Sequence, residues 1–468
     1  MDETRDLGIA LSGGGHRATA FALGSLLAVV DADLNRNTIS VSSVSGGSIA
    51  NAIAMTGPDF GQATASQFEE HIRPALVAVA ERGLLLGGAP ATRWYLRFTL
   101  GAAALGLVAL VASFVVAVLD FTVAALIVLV IGVVLLVIAW VLLRQRSARV
   151  SAAIDDELLG GRKRTMSDVA NMDSSVHHVM CTTELQSGEP FYFTNRCVWN
   201  YRFGGSTSAN GVHLADAVQA SACVPGAFNP RRIRLADVGL SNLTIQAPGQ
   251  PSKVIEHVVL DDGGTYDNMA DEWEYGFDNR VENFAELRSV QSQRAGYLVV
   301  VNASAGWNTP QPIGNSGLAL EIAGLMRAQG VQYDVSTAHR RRALYSKFTE
   351  TGGQVHGVII QISDNPYRLP QLFSSANTGR IDDRTRRADE AIKFLDDQGY
   401  TSAGWDDVVG RTRSVGTTLA PLGVEPTAEL LEHGYVLTAV LLYVIDGKGT
   451  LSTIDRTRFR ALCSTRAA

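Results

Sequence analysis

The chain has 468 residues, enough for one large domain with additions. Its formal net charge of -6 and pI ≈ 5.9 give no support for nucleic-acid binding. Nine histidines without a metal-binding spacing, and four cysteines without a C-x-x-C pair, argue against a metal site or a disulfide framework and fit a reducing compartment; no cofactor is expected.

The first residues are acidic and run directly into a strand candidate, Leu7–Leu11, so no basic segment followed by an apolar one marks a cleaved signal peptide. Ser12-Gly13-Gly14-Gly15-His16-Arg17 follows, and then a helical run, Ala18–Val30. Strand, glycine-rich loop and helix together make a backbone nest for negative charge. No G-K-[ST] follows, which excludes a Walker A loop. No acidic residue ends the next strand, which speaks against a dinucleotide site. An oxyanion hole is the better reading: the glycines let backbone N–H groups approach a carbonyl oxygen. Arg17 either adds charge there or pins the loop, or is an ordinary arginine at a helix start.

Ile39–Val44 is a β-branched strand candidate that ends in Ser45-Gly46-Gly47, and a helical run, Ser48–Met55, follows. A serine on a sharp strand-to-helix turn, with glycine neighbours, is the arrangement of a nucleophile elbow. Ser43 occupies the first position of the usual G-x-S-x-G pattern.

Asp59–Arg93 reads as surface helix and loop, broken by Gly-Gly-Ala-Pro at 87–90. Phe98–Leu119 and Phe121–Leu143 are uncharged apolar runs separated by Asp120. At ~1.5 Å per residue each can cross a ~30 Å hydrocarbon core. One continuous helix would leave Asp120 in lipid, so a two-helix transmembrane hairpin is expected. Arg82, Arg93 and Arg97 precede it, and Arg144, Arg146 and Arg149 follow it. Both flanks then lie on the cytoplasmic face, with Trp94, Tyr95 and Trp140 at the interface. The hairpin is expected to be an anchor that is no part of the catalytic centre.

Val176–Thr183 and Pro190–Thr194 look like a strand pair, and Leu214–Ala222 like a helix ended by Cys223-Val224-Pro225-Gly226. Val254–Leu260 is a β-branched strand ending in Asp261-Asp262-Gly263-Gly264, a place for a catalytic base or for an ordinary turn. Tyr297–Val301 and Val355–Ile362 are further buried strands, and Asp382–Asp397 a helix with a solvated face. Tyr435–Ile445 is apolar but short, a strand or core segment.

Four blocks together resemble the patatin-like phospholipases, a family of serine lipid acyl hydrolases. Gly13-Gly14-Gly15-His16-Arg17 is similar to the family's G-G-G-x-R-G block, with Ala18 for its last glycine. Ser43-Val44-Ser45-Gly46-Gly47 is similar to its elbow, AVQASACVPGAFNP at Ala217–Pro230 to its A-x-x-A-S-x-A-x-P-x-x-F-x-P block, and Asp262-Gly263-Gly264 with Asp267-Asn268 to its D-G-[GA] motif. The resemblance implies a three-layer α/β/α fold and a Ser–Asp dyad without histidine. Ser45 would be the nucleophile, Asp262 the base, and Gly13, Gly14 and Gly15 the oxyanion hole, with Arg17, Gly46 and Gly263 in support. It implies hydrolysis of lipid acyl esters; joined to the expected hairpin and its arginine flanks, this gives a membrane-anchored hydrolase, with membrane lipid as substrate and anchor and the catalytic domain on the cytoplasmic side.

Residues 1–96 and 147–305 are then two parts of the patatin-like domain, 97–146 the inserted hairpin, and 306–468 an α/β portion packed on the same domain. Two alternatives stay open. One is a Ser-His-Asp hydrolase of the α/β-hydrolase type, using His339, His356 or His433. The other is a membrane-anchored scaffold or regulatory protein with a degenerate hydrolase domain.

Overall fold

The computed structural model describes residues 6–85, 90–119, 121–170, 172, 175–207, 211–241, 243–246, 249–283, 293–304, 317–350, 353 and 355–465. Ten strands form one mixed sheet. They are β1 (Leu7–Leu11), β2 (Thr38–Ser43), β3 (His177–Glu184), β4 (Glu189–Thr194), β5 (Val198–Asn200), β6 (Gly204–Ser206), β7 (Arg231–Arg234), β8 (His257–Asp262), β9 (Tyr297–Asn302) and β10 (His356–Gln361). The order is β10-β9-β1-β2-β3-β4-β5-β6, with β8 set between β3 and β7. The half from β10 to β3 is parallel; β4 to β8 pair antiparallel.

Side chains alternate across the sheet with the period of two that a pleated strand imposes. Ile9, Leu11, Val41, Val299, Val301 and Ile360 face the larger core, while Ala10, Leu298, Val300 and Ile359 face a smaller one with Met269, Trp273 and Leu344. Both faces are covered, which is why β1 and β9 read as continuous apolar runs. Helices therefore lie on both sides of a mixed sheet.

The larger core is built around α1 (Gly15–Asp31), whose residues from Gly15 to Val30 are all buried. Next come α2 (Gly46–Met55), α3 (Pro90–Val118), α4 (Thr122–Leu143), α5 (Arg146–Leu158), α6 (Leu214–Ser221), α7 (Gly317–Phe348) and α8 (Val424–Asp446). The segment Tyr435–Ile445 is thus part of the helix α8 and not a strand. It packs along α1 and is buried around its circumference, so no helical stripe is visible in its sequence. It is long and apolar enough to cross a membrane by composition, yet most of it is enclosed by protein. The stretch 59–93 is less superficial than expected: a helix at Ala65–Val77, opened by a capping box at Thr64 and Gln67, buries Phe68, Ile72 and Leu76.

The two apolar runs are the separate helices α3 and α4, packed side by side, with most of their large apolar side chains exposed. Small residues make their contact. A Cβ on Gly106 or on Gly132 would lie 3.1 Å from the other glycine's carbonyl oxygen, and Ala102, Ala125 and Ala139 are buried beside them. Asp120 and residues 87–89 of the expected breaker lie outside the described residues.

The contact of α1 with α8 is close enough to exclude a methyl group. A Cβ on Gly434 would lie 2.1 Å from the Phe21 carbonyl oxygen, and one on Gly24 would lie 2.1 Å from that of Leu431. Replacing Gly434 by alanine must push the helices apart and is expected to destabilise the fold by about 1–3 kcal/mol. Thermal unfolding measures this; an unchanged midpoint would contradict the packing described.

Candidate active site

The register of β3 brings the candidate residues together. β2 runs along one edge of β3 and ends with Ser43 opposite Met180. β8 comes from the opposite direction along that edge and ends with Asp262 opposite Thr182. The two strand ends therefore point at each other across two residues of β3, roughly 7 Å. Ser45 turns off one end, and Asp262 closes the other.

Ser45 holds φ 52° and ψ −118°, a conformation that a residue with a side chain rarely adopts, so the elbow is strained. Its surroundings hold it there. The Ser45 N–H donates to Ser221 Oγ at 3.1 Å, and Ser221 Oγ donates to the Cys181 carbonyl at 2.6 Å. Ser48 Oγ lies 2.8 Å from Ser221 Oγ and donates to Ser43 Oγ at 3.1 Å. Ser43, which replaces the family's first glycine, is fully buried, and its hydroxyl donates to the Val179 carbonyl at 2.8 Å. Asn51 donates to Ser43 Oγ at 2.9 Å, and its Oδ1 faces His178 Nδ1 at 2.6 Å. The hydroxyl of Ser43 is therefore accommodated and fully used. Ser221 was visible in the sequence only as part of its block; nothing there marked it as the prop of the elbow.

The glycine loop presses on the elbow. A Cβ on Gly46 would lie 2.1 Å from the Gly15 carbonyl oxygen, so position 46 admits no side chain. Thr19 Oγ1 donates across the same contact to the Gly46 carbonyl at 2.9 Å. Of the three loop glycines, Gly13 already gives its N–H to the Asn268 carbonyl at 3.1 Å. That N–H is thus engaged by protein in this structure, and Gly13 forms a wall of the cleft. The N–H groups of Gly14, Gly15 and Gly46 have no acceptor among the described residues. Gly14 lines the cleft, whereas Gly15 packs on Thr418.

Arg17 is buried at the start of α1. Its Nε donates to the Ala303 carbonyl at 3.1 Å and its guanidinium to the Val415 carbonyl at 2.5 Å. Burial lowers its pKa to about 10, which leaves it cationic at neutral pH beside Gly14.

Asp262 Oδ1 accepts the Gly264 N–H at 2.8 Å. Its Oδ2 is buried and has no full hydrogen-bond partner among the described residues; the Ser45 hydroxyl is near enough to favour the ionised form only in part. Burial pushes Asp262 up to about 7, and the charge of Asp261 adds to that. Asp261, on the other face of the strand, is raised to about 6, again by burial. Gly263 donates to the Ser221 carbonyl at 3.2 Å, so Ser221 braces both halves of the pair. The Asp267-Asn268 pair anchors the chain beyond. Asp267 is buried, accepts the N–H groups of Met269 and Glu272, and bridges Arg340 of α7 at 3.1 Å.

Ser45 and Asp262 line one cleft of about 260 Å³, with Gly13, Gly14, Arg17 and Asn268. Val224, Pro225, Thr417 and, from α7, Tyr333 and Asp334 complete its walls. These last three lie in the C-terminal portion, where no sequence signal pointed to the site. Larger cavities, of about 650 and 750 Å³, lie elsewhere and contain none of these residues. No histidine lines the cleft. His16 is buried in the loop with Nδ1 on the Ala420 carbonyl, and burial lowers it to about 4. His433 is buried between Thr412 and the Asp364 carbonyl, while His339 and His356 are exposed away from the cleft.

A family model described as patatin-like phospholipase matches residues 9–272. Comparison with curated proteins gives no match. Among solved structures, human GIVD cytosolic phospholipase A2 aligns over 99% of this chain and 61% of its own, at 12% identity and a TM-score of 0.46. VipD from Legionella pneumophila aligns over 97% of this chain and 93% of its own, at 14% identity and a TM-score of 0.26. The chain thus spans less than two thirds of the human enzyme's chain, and at this distance neither structure bears on the chemistry of the cleft. The family match covers more than half of the sequence and runs from β1 through both cleft loops to the segment beyond Asp262: the chain belongs to the patatin-like phospholipase family.

Proposed function

We propose that this protein is a membrane-anchored serine hydrolase that cleaves acyl esters of lipids through an acyl-enzyme. The observation that carries the reading is the meeting, in one cleft, of a strained serine with a buried carboxylate whose Oδ2 has no hydrogen-bond partner among the described residues, next to backbone N–H groups with no acceptor among those residues. In this reading Ser45 Oγ attacks the ester carbonyl carbon and passes its proton to Asp262. The N–H groups of Gly14 and Gly46 stabilise the oxyanion, at ~3–4 kcal/mol per donor if they act like others of their kind. The alcohol leaves with the proton from Asp262, and the acyl group stays on Ser45. Asp262 then takes a proton from water as the water oxygen attacks the acyl carbon; the bond from that carbon to Ser45 Oγ breaks, Oγ takes the proton back from Asp262, and the carboxylic acid leaves. A carboxylate serves as base here because burial raises its pKa towards the working pH. The absence of histidine from the cleft favours this reading over a Ser-His-Asp hydrolase.

The anchor is the pair α3 and α4, whose outward faces are apolar over lengths that suit a bilayer. Arg144 stacks over Trp140 at 4.8 Å and Arg97 over Trp94 at 5.9 Å, which supports an interfacial belt on the arginine-rich side. Arg82 is held by Glu157 at 2.6 Å, so the remaining arginines carry the bias that puts this side in the cytoplasm. Membrane lipid is both substrate and anchorage. The parts before and after the hairpin, including residues 306–468, are read as one catalytic domain.

Ser45→Ala is expected to lower turnover of a short-chain ester by at least about 10³-fold with folding retained, and Asp262→Asn to come within about tenfold of that loss. The double variant should be no worse than Ser45→Ala, because the pair acts as one unit. Steady-state kinetics with circular dichroism checks this; independent, multiplying losses would contradict the dyad.

The pH profile follows from the same group. Only ionised Asp262 can take the proton, so kcat/KM for a soluble ester should fall about tenfold per pH unit below an apparent pKa near 7 and level off above it. Asp261→Asn removes a negative charge that raises Asp262, and should move this limb to lower pH. A flat profile through this range, or a shift to higher pH, would contradict the assignment of the base.

A further inference from the structure

One end of the helical hairpin is hydrogen-bonded directly to a loop at the mouth of the cleft, and the other end is tied to the mouth through the segment that leads into it. At the α4 end, Asn229 Nδ2 donates to the Arg144 carbonyl at 3.0 Å, Arg146 Nε to the Ala227 carbonyl at 2.7 Å, and Ser147 Oγ to the Asn229 carbonyl at 2.9 Å. Two residues before Ala227 stands Pro225, a wall of the cleft. At the α3 end, Thr92 Oγ1 donates to the Leu84 carbonyl at 2.6 Å, and the Leu84 and Leu85 N–H groups both donate to the Leu419 carbonyl, at 2.8 and 2.9 Å. Two residues before Leu419 stands Thr417, another wall. The same strap holds the glycine loop from its other side: His16 N–H donates to the Thr418 carbonyl at 2.9 Å. Two residues of chain span at most ~7 Å, so each wall lies within that reach of a residue bonded to the hairpin or to the segment that enters it.

We propose that the hairpin base and the cleft mouth are one built unit, which holds the mouth at the level of the lipid headgroups, with Asn229 and Ser147 as positioning residues. This rests on the membrane reading above and goes beyond it. An anchor on a flexible tether would leave the orientation of the cleft free, whereas two ties, one on each wall, fix it. Ester carbonyls of glycerolipids lie at the boundary between headgroup and hydrocarbon. A mouth held there meets its substrate class without drawing a whole lipid into water. The hairpin is then part of the enzyme's substrate access and not a detachable anchor.

The test uses the full chain reconstituted in vesicles of phosphatidylcholine and phosphatidylglycerol. The four native cysteines are buried, so single exposed cysteines can be labelled with a fluorophore. Positions are Ala227→Cys and Thr417→Cys at the mouth, Trp140→Cys on the hairpin, and Arg36→Cys before β2, at the opposite end of the sheet. A spin label on the lipid headgroup is expected to quench 227, 417 and 140 severalfold more than 36. Quenching at 140 with none at 227 and 417 overturns this proposal alone; no quenching at 140 overturns the membrane reading and the proposal with it. The double variant Ser147→Ala/Asn229→Ala should lower the ratio of vesicle-phospholipid to soluble-ester hydrolysis by about tenfold, the equivalent of one or two lost hydrogen bonds. An unchanged ratio, including an equal loss on both substrates, overturns it as well.

Discussion

Two turns of backbone, one after β1 and one after β2, are pressed together with no side chain between them. The carbonyl of Gly15 occupies the space that a Cβ on Gly46 would need. The rest of the cleft depends on that contact. It sets the distance between the elbow and the glycine loop, where the N–H groups of Gly14 and Gly46 have no acceptor among the described residues. The strained Ser45 sits at the same contact, and the hydrogen-bonded hydroxyls of Ser43, Ser48 and Ser221 hold the turn from behind.

The second constraint is electrostatic. A buried carboxylate is costly unless it is paired, and Asp262 is only half satisfied. By contrast Asp267 and Asp271, a few residues on, share the guanidinium of Arg340. The same short segment thus contains carboxylates held by a cation, and two, Asp261 and Asp262, with no ion pair among the described residues. Arg340 lies on α7, and so does Tyr333 over the cleft. The ion pairs that anchor the chain after Asp262 therefore also seat the helix that covers it.

Much of this was legible in local sequence. The strands of the parallel half, the glycine loop and the elbow each carry a local signature, and four motif blocks point to Ser45 and Asp262. What was not legible depends on long-range contacts. Asn268 consumes the N–H of Gly13 from across the sheet; Thr417, Thr418 and Tyr333 reach the cleft from residues far along the chain. No local pattern encodes such meetings. The helix α8 was hidden for another reason: a helix enclosed on all sides needs no polar face, so its sequence has the apolar continuity of a buried strand. The hairpin was visible as two apolar runs, yet its ties to the mouth pair backbone carbonyls with single polar side chains such as Asn229, Ser147 and Arg146, which composition cannot reveal.

The central claim is that Ser45 is an activated nucleophile and not merely a serine in a tight turn. Covalent labelling of the reconstituted protein with an alkyl fluorophosphonate, followed by peptide mass spectrometry, measures this directly. The account predicts a single adduct on Ser45, formed much more slowly when Asp262 is asparagine. No adduct, or an adduct on another residue with Ser45 unmodified, would contradict it.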